Sequence, residues 1–287
     1  MLAAPVQASD LIGLNATSIT LKVHGKRALV EYTEQGRRRH VLVWGAVNAR
    51  TPASGLPQVR FRHDYSGGAM WKTFVDDCRP YDGPPLAYFV AGCKAADGSY
   101  WALQSWQRDL PHRGFEPWTA AQRAWELHIS HWTGPLARVE LYADWAFHGE
   151  AHDIFGRMTY AGAPVHGFHT RSNGEPTDSY GRSLYIDTYG SAYGPGWKRE
   201  TSIVFRKPTG AFCYSFWPTH DRSLPGAPAR PAGNGAKYRI SVVGPGVTPD
   251  VVAETRDLGP YDPAVEKRQD VLFRRVTAGD SFCATQR

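Results

Sequence analysis

The chain predicts an all-β protein of antiparallel β-sandwich architecture, with two β domains and a short C-terminal helix. Three observations carry that prediction. Over residues 155–218, short runs rich in Tyr, Phe, Ile, Val and Thr alternate with Gly, Pro, Asn and Asp, at the spacing of roughly 8 to 12 residues that antiparallel strands joined by tight turns produce. The 287 residues include 29 glycines and 21 prolines, which supply turns yet stay below the roughly 25–30% that marks low-complexity disorder. Aromatic residues make up 13% of the chain, with ten tryptophans; large rings fill sheet cores and also form platforms for sugars or protein partners.

Residues 1–17 show no periodicity and are expected to be a signal remnant or flexible tail. Val6-Gln7-Ala8 offers small residues at both specificity positions of an A-x-A-like cleavage site before Ser9. A basic n-region and a full apolar h-region are missing, so the chain reads as beginning inside its signal. An extracellular location follows as the expectation.

An N-terminal antiparallel β domain is expected over residues 18–147. Ile19, Leu21 and Val23 alternate with Thr20, Lys22 and His24, then Gly25-Lys26 and Gln35-Gly36 reverse the chain twice, which makes a three-stranded meander. Residues 50–72 are looser, with a short candidate strand at 59–63. LAYFVAGC and SYWALQSWQ, joined by Ala96-Asp97-Gly98, form a second hairpin. Thr119 and Gln122 resemble a capping box and predict one helical turn from about Ala120. Strands follow at 126–131 and 137–146, and a polar dip at 147–153 is taken as the boundary of the next domain.

A second β-sandwich domain is expected over residues 148–260, and within it residues 155–246 resemble the carboxypeptidase-regulatory-like (transthyretin-like) β-sandwich modules. The likeness rests on a turn at Gly162-Ala163-Pro164-Val165, a strand carrying His169 and Thr170, the start Gly210-Ala211-Phe212-Cys213-Tyr214, and a closing strand at 238–246. The insert YGSAYGPGWKRE departs from that pattern. Such modules are commonly non-catalytic scaffolds, which the resemblance implies here. A looser likeness of the whole chain to secreted actinobacterial proteins implies nothing about activity. In the tail, residues 261–287, Asp262 caps, Pro263 suits the first helical position, and Val265, Gln269, Leu272, Phe273 and Val276 recur at helical spacing. A helix over 263–276 follows.

Cys78, Cys93, Cys213 and Cys283 are an even set without a C-x-x-C pair, which argues for disulfides over zinc. Topology favours Cys78 with Cys93, closing a compact turn-rich segment, and Cys213 with Cys283, fastening the tail. The net charge of +6 is modest and scattered, and the run Arg37–Arg39 is a solvated hairpin arm, so a nucleic-acid partner is not expected. No run of 18 apolar residues predicts a membrane span.

For function, no G-x-S-x-G elbow, phosphate-cradling loop or dinucleotide fingerprint occurs, and no cofactor is expected. Exposed rings are the better candidates. Trp106, Trp118, Tyr193 and Trp197 are read as a surface for a polysaccharide or an extracellular protein, with at most one of Trp101 and Trp106 in a core because they fall on opposite strand faces. The expected role is that of a secreted, non-catalytic binding or structural protein. The alternative is an extracellular hydrolase or metal-dependent enzyme. It would use paired acids such as Asp76 with Asp77 or Asp178 with Asp187, or the group His148, Glu150, His152 and Asp153, with His166 and His169 nearby.

Overall fold

The computed structural model describes residues 9–50, 59–108, 123–165, 169–170, 176–177, 183–204, 209–217, 231 and 233–284. The chain is all-β, with antiparallel sheets packed in two sandwiches and one substantial helix near the C-terminus.

The first sandwich uses Asp10–Leu14 (β1), Thr17–His24 (β2), Arg27–Glu34 (β3), Arg37–Trp44 (β4), Arg62–Asp64 (β5), Arg79–Pro80 (β6), Phe89–Lys94 (β7), Tyr100–Trp106 (β8) and Glu126–Trp132 (β9). One sheet runs β2-β3-β4-β5 and the other β1-β9-β8-β7-β6. Period-2 alternation turns Val23, Val30, Val43, Trp101, Leu103, Leu127 and Ile129 inward to a shared core. The meander forms as expected, and Gln35 and Gly36 take φ of 50° and 73°, the two positive values that a primed hairpin turn needs. Residues 9–17 correct the expectation of a loose tail. Ser9 is buried and β1 pairs with β9, because Ile12 has a place in the core.

The second sandwich uses Arg138–Ala146 (β10), Ala151–Tyr160 (β11), Ala163–Pro164 (β12), His169–Thr170 (β13), Pro176–Thr177 (β14), Ser183–Ser191 (β15), Gly194–Val204 (β16), Ala211–Ser215 (β17), Lys237–Val242 (β18) and Val251–Glu254 (β19). β11 lies between β10 and β17, and the facing sheet runs β16-β15-β18-β19. Ile154, Met158, Leu184, Ile186, Phe212, Tyr238 and Ile240 make the core between them. The polar dip at 147–153 is part of a hairpin: β10 and β11 pair in continuous register from Arg138↔Thr159 to Ala146↔Ala151. β10 therefore goes with the second sandwich, and the sheets divide between β9 and β10. The segment read as an insert at 189–200 is the end of β15, the turn and the first half of β16, which pair with each other.

Pro263–Val276 forms helix α1, with the Asp262 carboxylate accepting from the backbone N–H of Ala264 and Val265. α1 lies on the outer face of the β10-β11-β17 sheet, where Phe273 and Val276 pack on Phe155. A short helix, Ser281–Ala284 (α2), carries Cys283 to Cys213 on β17, and the other bond joins Cys78 to Cys93. Both pairings are those expected, and they fit folding in an oxidising environment. Among the described residues no helix is long and apolar enough to cross a membrane.

Candidate functional site

On the β1-β9-β8-β7-β6 sheet, β8 and β9 are covered on their outer face as well as their inner one. Trp106 and Trp101 do lie on opposite faces of β8, yet both are buried, at 2% and 0% exposure. The reading that only one of them is in a core is therefore corrected. Trp101 stacks on His131 inside the first sandwich, while Trp106 stacks on Tyr88 and meets the edge of Tyr185 from β15. The second sandwich covers what one sheet alone would leave exposed.

Polar groups fill the rest of this seam. Asp250, just before β19, accepts from Trp106 Nε1 at 3.0 Å, from Ser9 Oγ at 2.7 Å, from the backbone N–H of Gly244 at 3.1 Å and from the Arg108 guanidinium. Gln104 receives the Asp250 N–H and donates to the Asp250 and Ala87 carbonyls. Arg108 Nε also lies 3.3 Å from Glu126, which in turn meets His128 Nε2 at 2.6 Å. Complete burial, reinforced by the Arg108 charge, holds the His128 pKa below the ordinary histidine value.

Where the seam opens, a cleft of about 220 Å³ is lined by Tyr88, Trp106, Gln107 and Trp125 from the first sandwich and by Asp187, Trp197, Arg199 and Arg239 from the second. Trp106 forms its floor. Trp125 is 52% exposed, and its backbone is pinned by Asn15, which donates to the Trp125 carbonyl and accepts from its N–H. The opposite wall follows from strand register. Asp187 on β15 is the cross-strand neighbour of both Arg199 on β16 and Arg239 on β18, and Tyr189 is likewise the neighbour of Trp197 and Lys237. Arg199 Nε and the fork of Arg239 both donate to the Asp187 carboxylate, Arg239 at 3.1 and 2.7 Å. The Arg239 guanidinium also lies 4.4 Å over the Trp197 ring, a cation–π contact.

Of the four rings nominated from sequence, the fold brings Trp106 and Trp197 to this cleft, the first as buried floor and not as an exposed platform. Tyr193 is elsewhere: its hydroxyl donates to Glu200 and to the Pro231 carbonyl. Trp118 lies outside the described residues. Trp125 and the arginines were not among the residues nominated from sequence. The available signal was parity, since Asp187/Tyr189, Trp197/Arg199 and Lys237/Arg239 are each two residues apart and so share a strand face.

The histidine group does not converge. Phe147, His148 and Gly149 form a positive-φ turn that breaks strand alternation, leaving His148 near Tyr261 and His152 bonded to the Tyr238 hydroxyl. His166 lies outside the described residues. Among the described residues no three His, Cys, Asp or Glu side chains stand close enough to hold a metal. The acid pairs fare similarly. Asp76 caps backbone N–H groups of Val23 and Cys78, Asp77 faces His24, Asp178 is outside the described residues and Asp187 is held by its arginines. One acid pair not foreseen does form, because the β10–β11 register sets Asp144 opposite Asp153. Both are buried and neither lines the cleft.

No protein-family model, curated protein or solved structure matches this chain.

Proposed function

We propose that this chain is a secreted, non-catalytic binding protein that holds a glycan in the aromatic cleft between its two sandwiches. The observation that carries the reading is the convergence of Trp125, Trp197, Trp106 and Tyr88 with fixed polar groups around one concavity. Flat apolar rings meet the C–H faces of a sugar while placed polar groups take up its hydroxyls. The cleft volume of about 220 Å³ lies below the roughly 300–1,000 Å³ of sites for drug-sized ligands, a scale suited to one sugar ring and not to a broad protein footprint. The two disulfides suit an extracellular setting, and the expected scaffold character of a transthyretin-like module agrees.

Affinity electrophoresis against a panel of soluble polysaccharides tests this reading. Retention of the native chain on at least one polymer is expected, with no release of reducing ends. Trp125→Ala and Trp197→Ala should each weaken retention about tenfold or more, the size of an aromatic hot spot, while circular dichroism stays unchanged. Retention on no polymer, or retention indifferent to both substitutions, rejects the reading; released reducing ends replace it with the hydrolase alternative.

A further inference from the structure

Among the described residues, the cleft wall carries more positive charge than its acids balance. On the face of β16, β15 and β18 that borders the seam, Arg199 and Arg239 flank the buried carboxylate of Asp187, and Lys237 stands one rung along, opposite Tyr189 and beside the cleft-lining Trp197. Lys237 Nζ lies 5.0 Å over Tyr189 and 5.4 Å over Trp197, so the same rings that would stack on a ligand are already flanked by cations. Glu126 and Asp250 are engaged in the seam with Arg108, His128, Ser9 and Trp106. Arg239 spends Nε and Nη2 on Asp187, and among the described residues its Nη1 has no hydrogen-bond partner. Its side chain keeps 20% exposure, against 3% for Asp187. A partly desolvated guanidinium in excess of its counter-charge is held at a cost that a bound anion would offset, and its planar fork matches a carboxylate or sulfate.

Resting on the glycan reading above, we infer that the ring taken by this cleft bears an acid group, and that the ligand is a uronate- or sulfate-bearing glycan. The acid group docks on Arg239 and Lys237 while the ring lies against Trp197. Aromatic wall and cationic rung are adjacent rows of one sheet, about one strand repeat apart, so a single acidic sugar spans both.

The test is isothermal titration of the full-length, disulfide-intact protein with three probes of matched length: galacturonan oligomers, sulfated galactan oligomers and neutral galactan oligomers. Galacturonan treated to reduce its carboxyl groups to alcohols is a fourth. At least tenfold tighter binding of an acidic probe than of the neutral one is expected, falling steeply between low and high salt and lost in the carboxyl-reduced polymer if the carboxylate is the recognised group. Arg239→Gln should lower acidic-probe affinity at least tenfold and by a clearly larger factor than neutral-probe affinity. Because that change also loosens Asp187, Lys237→Gln provides a second variant that touches no ion pair and should lower acidic-probe affinity severalfold. Equal binding of neutral and acidic probes, insensitive to both substitutions, overturns the acidic-ligand inference and leaves the glycan reading standing. Binding of none of the four, together with failure on the wider polysaccharide panel, overturns both.

Discussion

Arg108 and Asp250, 142 positions apart in the chain, form an ion pair whose side chains are only 2% and 1% exposed at the seam between the two sandwiches. Asp250 also accepts hydrogen bonds from Trp106, Ser9 and Gly244, so one carboxylate ties together the start of β1, β8 and the segment before β19.

Removing that carboxylate takes the closest counter-charge from a buried guanidinium, which keeps Glu126 at 3.3 Å, and the acceptor from three further donors. Asp250→Ala is expected to destabilise the protein by about 3–5 kcal/mol, the cost of breaking a buried pair from one side. Urea unfolding followed by tryptophan fluorescence measures it. A loss below about 1 kcal/mol would mean that the seam is hydrated in solution.

Two buried groups give opposing pH dependences. Burial raises the Asp10 pKa from 3.8 to about 7 and lowers that of His131 from 6.5 to about 4. A raised acid is more proton-bound folded than unfolded, so the Asp10 contribution is present below about pH 4 and is lost as pH rises through 7. A depressed histidine does the reverse, and its contribution is lost as pH falls from about 6.5 to 4. Asp10→Asn should therefore be more stable than the native chain at pH 8 and lose stability more steeply on acidification. Each group is worth up to about 1.4 kcal/mol per pH unit in its window. Parallel pH profiles of the thermal midpoint for the two proteins would refute this.

The disulfides should differ in weight. Cys78–Cys93 spans 15 positions and Cys213–Cys283 spans 70, which corresponds to about 3 and 4 kcal/mol of lost unfolded-chain entropy. Paired serine variants are expected to rank in that order in chemical unfolding. In the Cys213/Cys283 variant, limited proteolysis should cut first near α2, which loses its covalent tie to β17.

Gly156 sits in the middle of β11, where a Cβ would come within 1.9 Å of the Glu140 carbonyl oxygen and 2.4 Å of Phe212 Cζ. Gly156→Ala must push β10 or Phe212 away and should cost about 1–3 kcal/mol or more by overpacking. A thermal midpoint within a degree of the native one would show that the sheet yields at that point.

Much of this architecture is legible along the chain because it is set by near neighbours. Gln35-Gly36 turns whatever lies beyond it, since the left-handed conformation is local. Asp262 and Pro263 start α1 by capping and by a preset φ, and both act within one turn. The disulfide pairing was readable for a similar reason: one loop is short, and the other joins a strand to the chain end. The candidate site was only half visible. Trp197 and Trp106 were singled out as rings, but the burial of Trp106 depends on a second sheet contributed by residues far along the chain.

What the sequence determined by itself is the set of local elements: strands by alternation, reversals by glycine and asparagine-type turns, one capped helix, and four cysteines in an oxidising fold. Tertiary structure alone decided that β10 joins β11, that Ser9 is interior, and that Asp187 meets both Arg199 and Arg239 across separations of 12 and 52 residues. Those contacts are between strands, and strand pairing depends on which distant apolar faces bury each other, a choice that no short stretch of chain encodes alone.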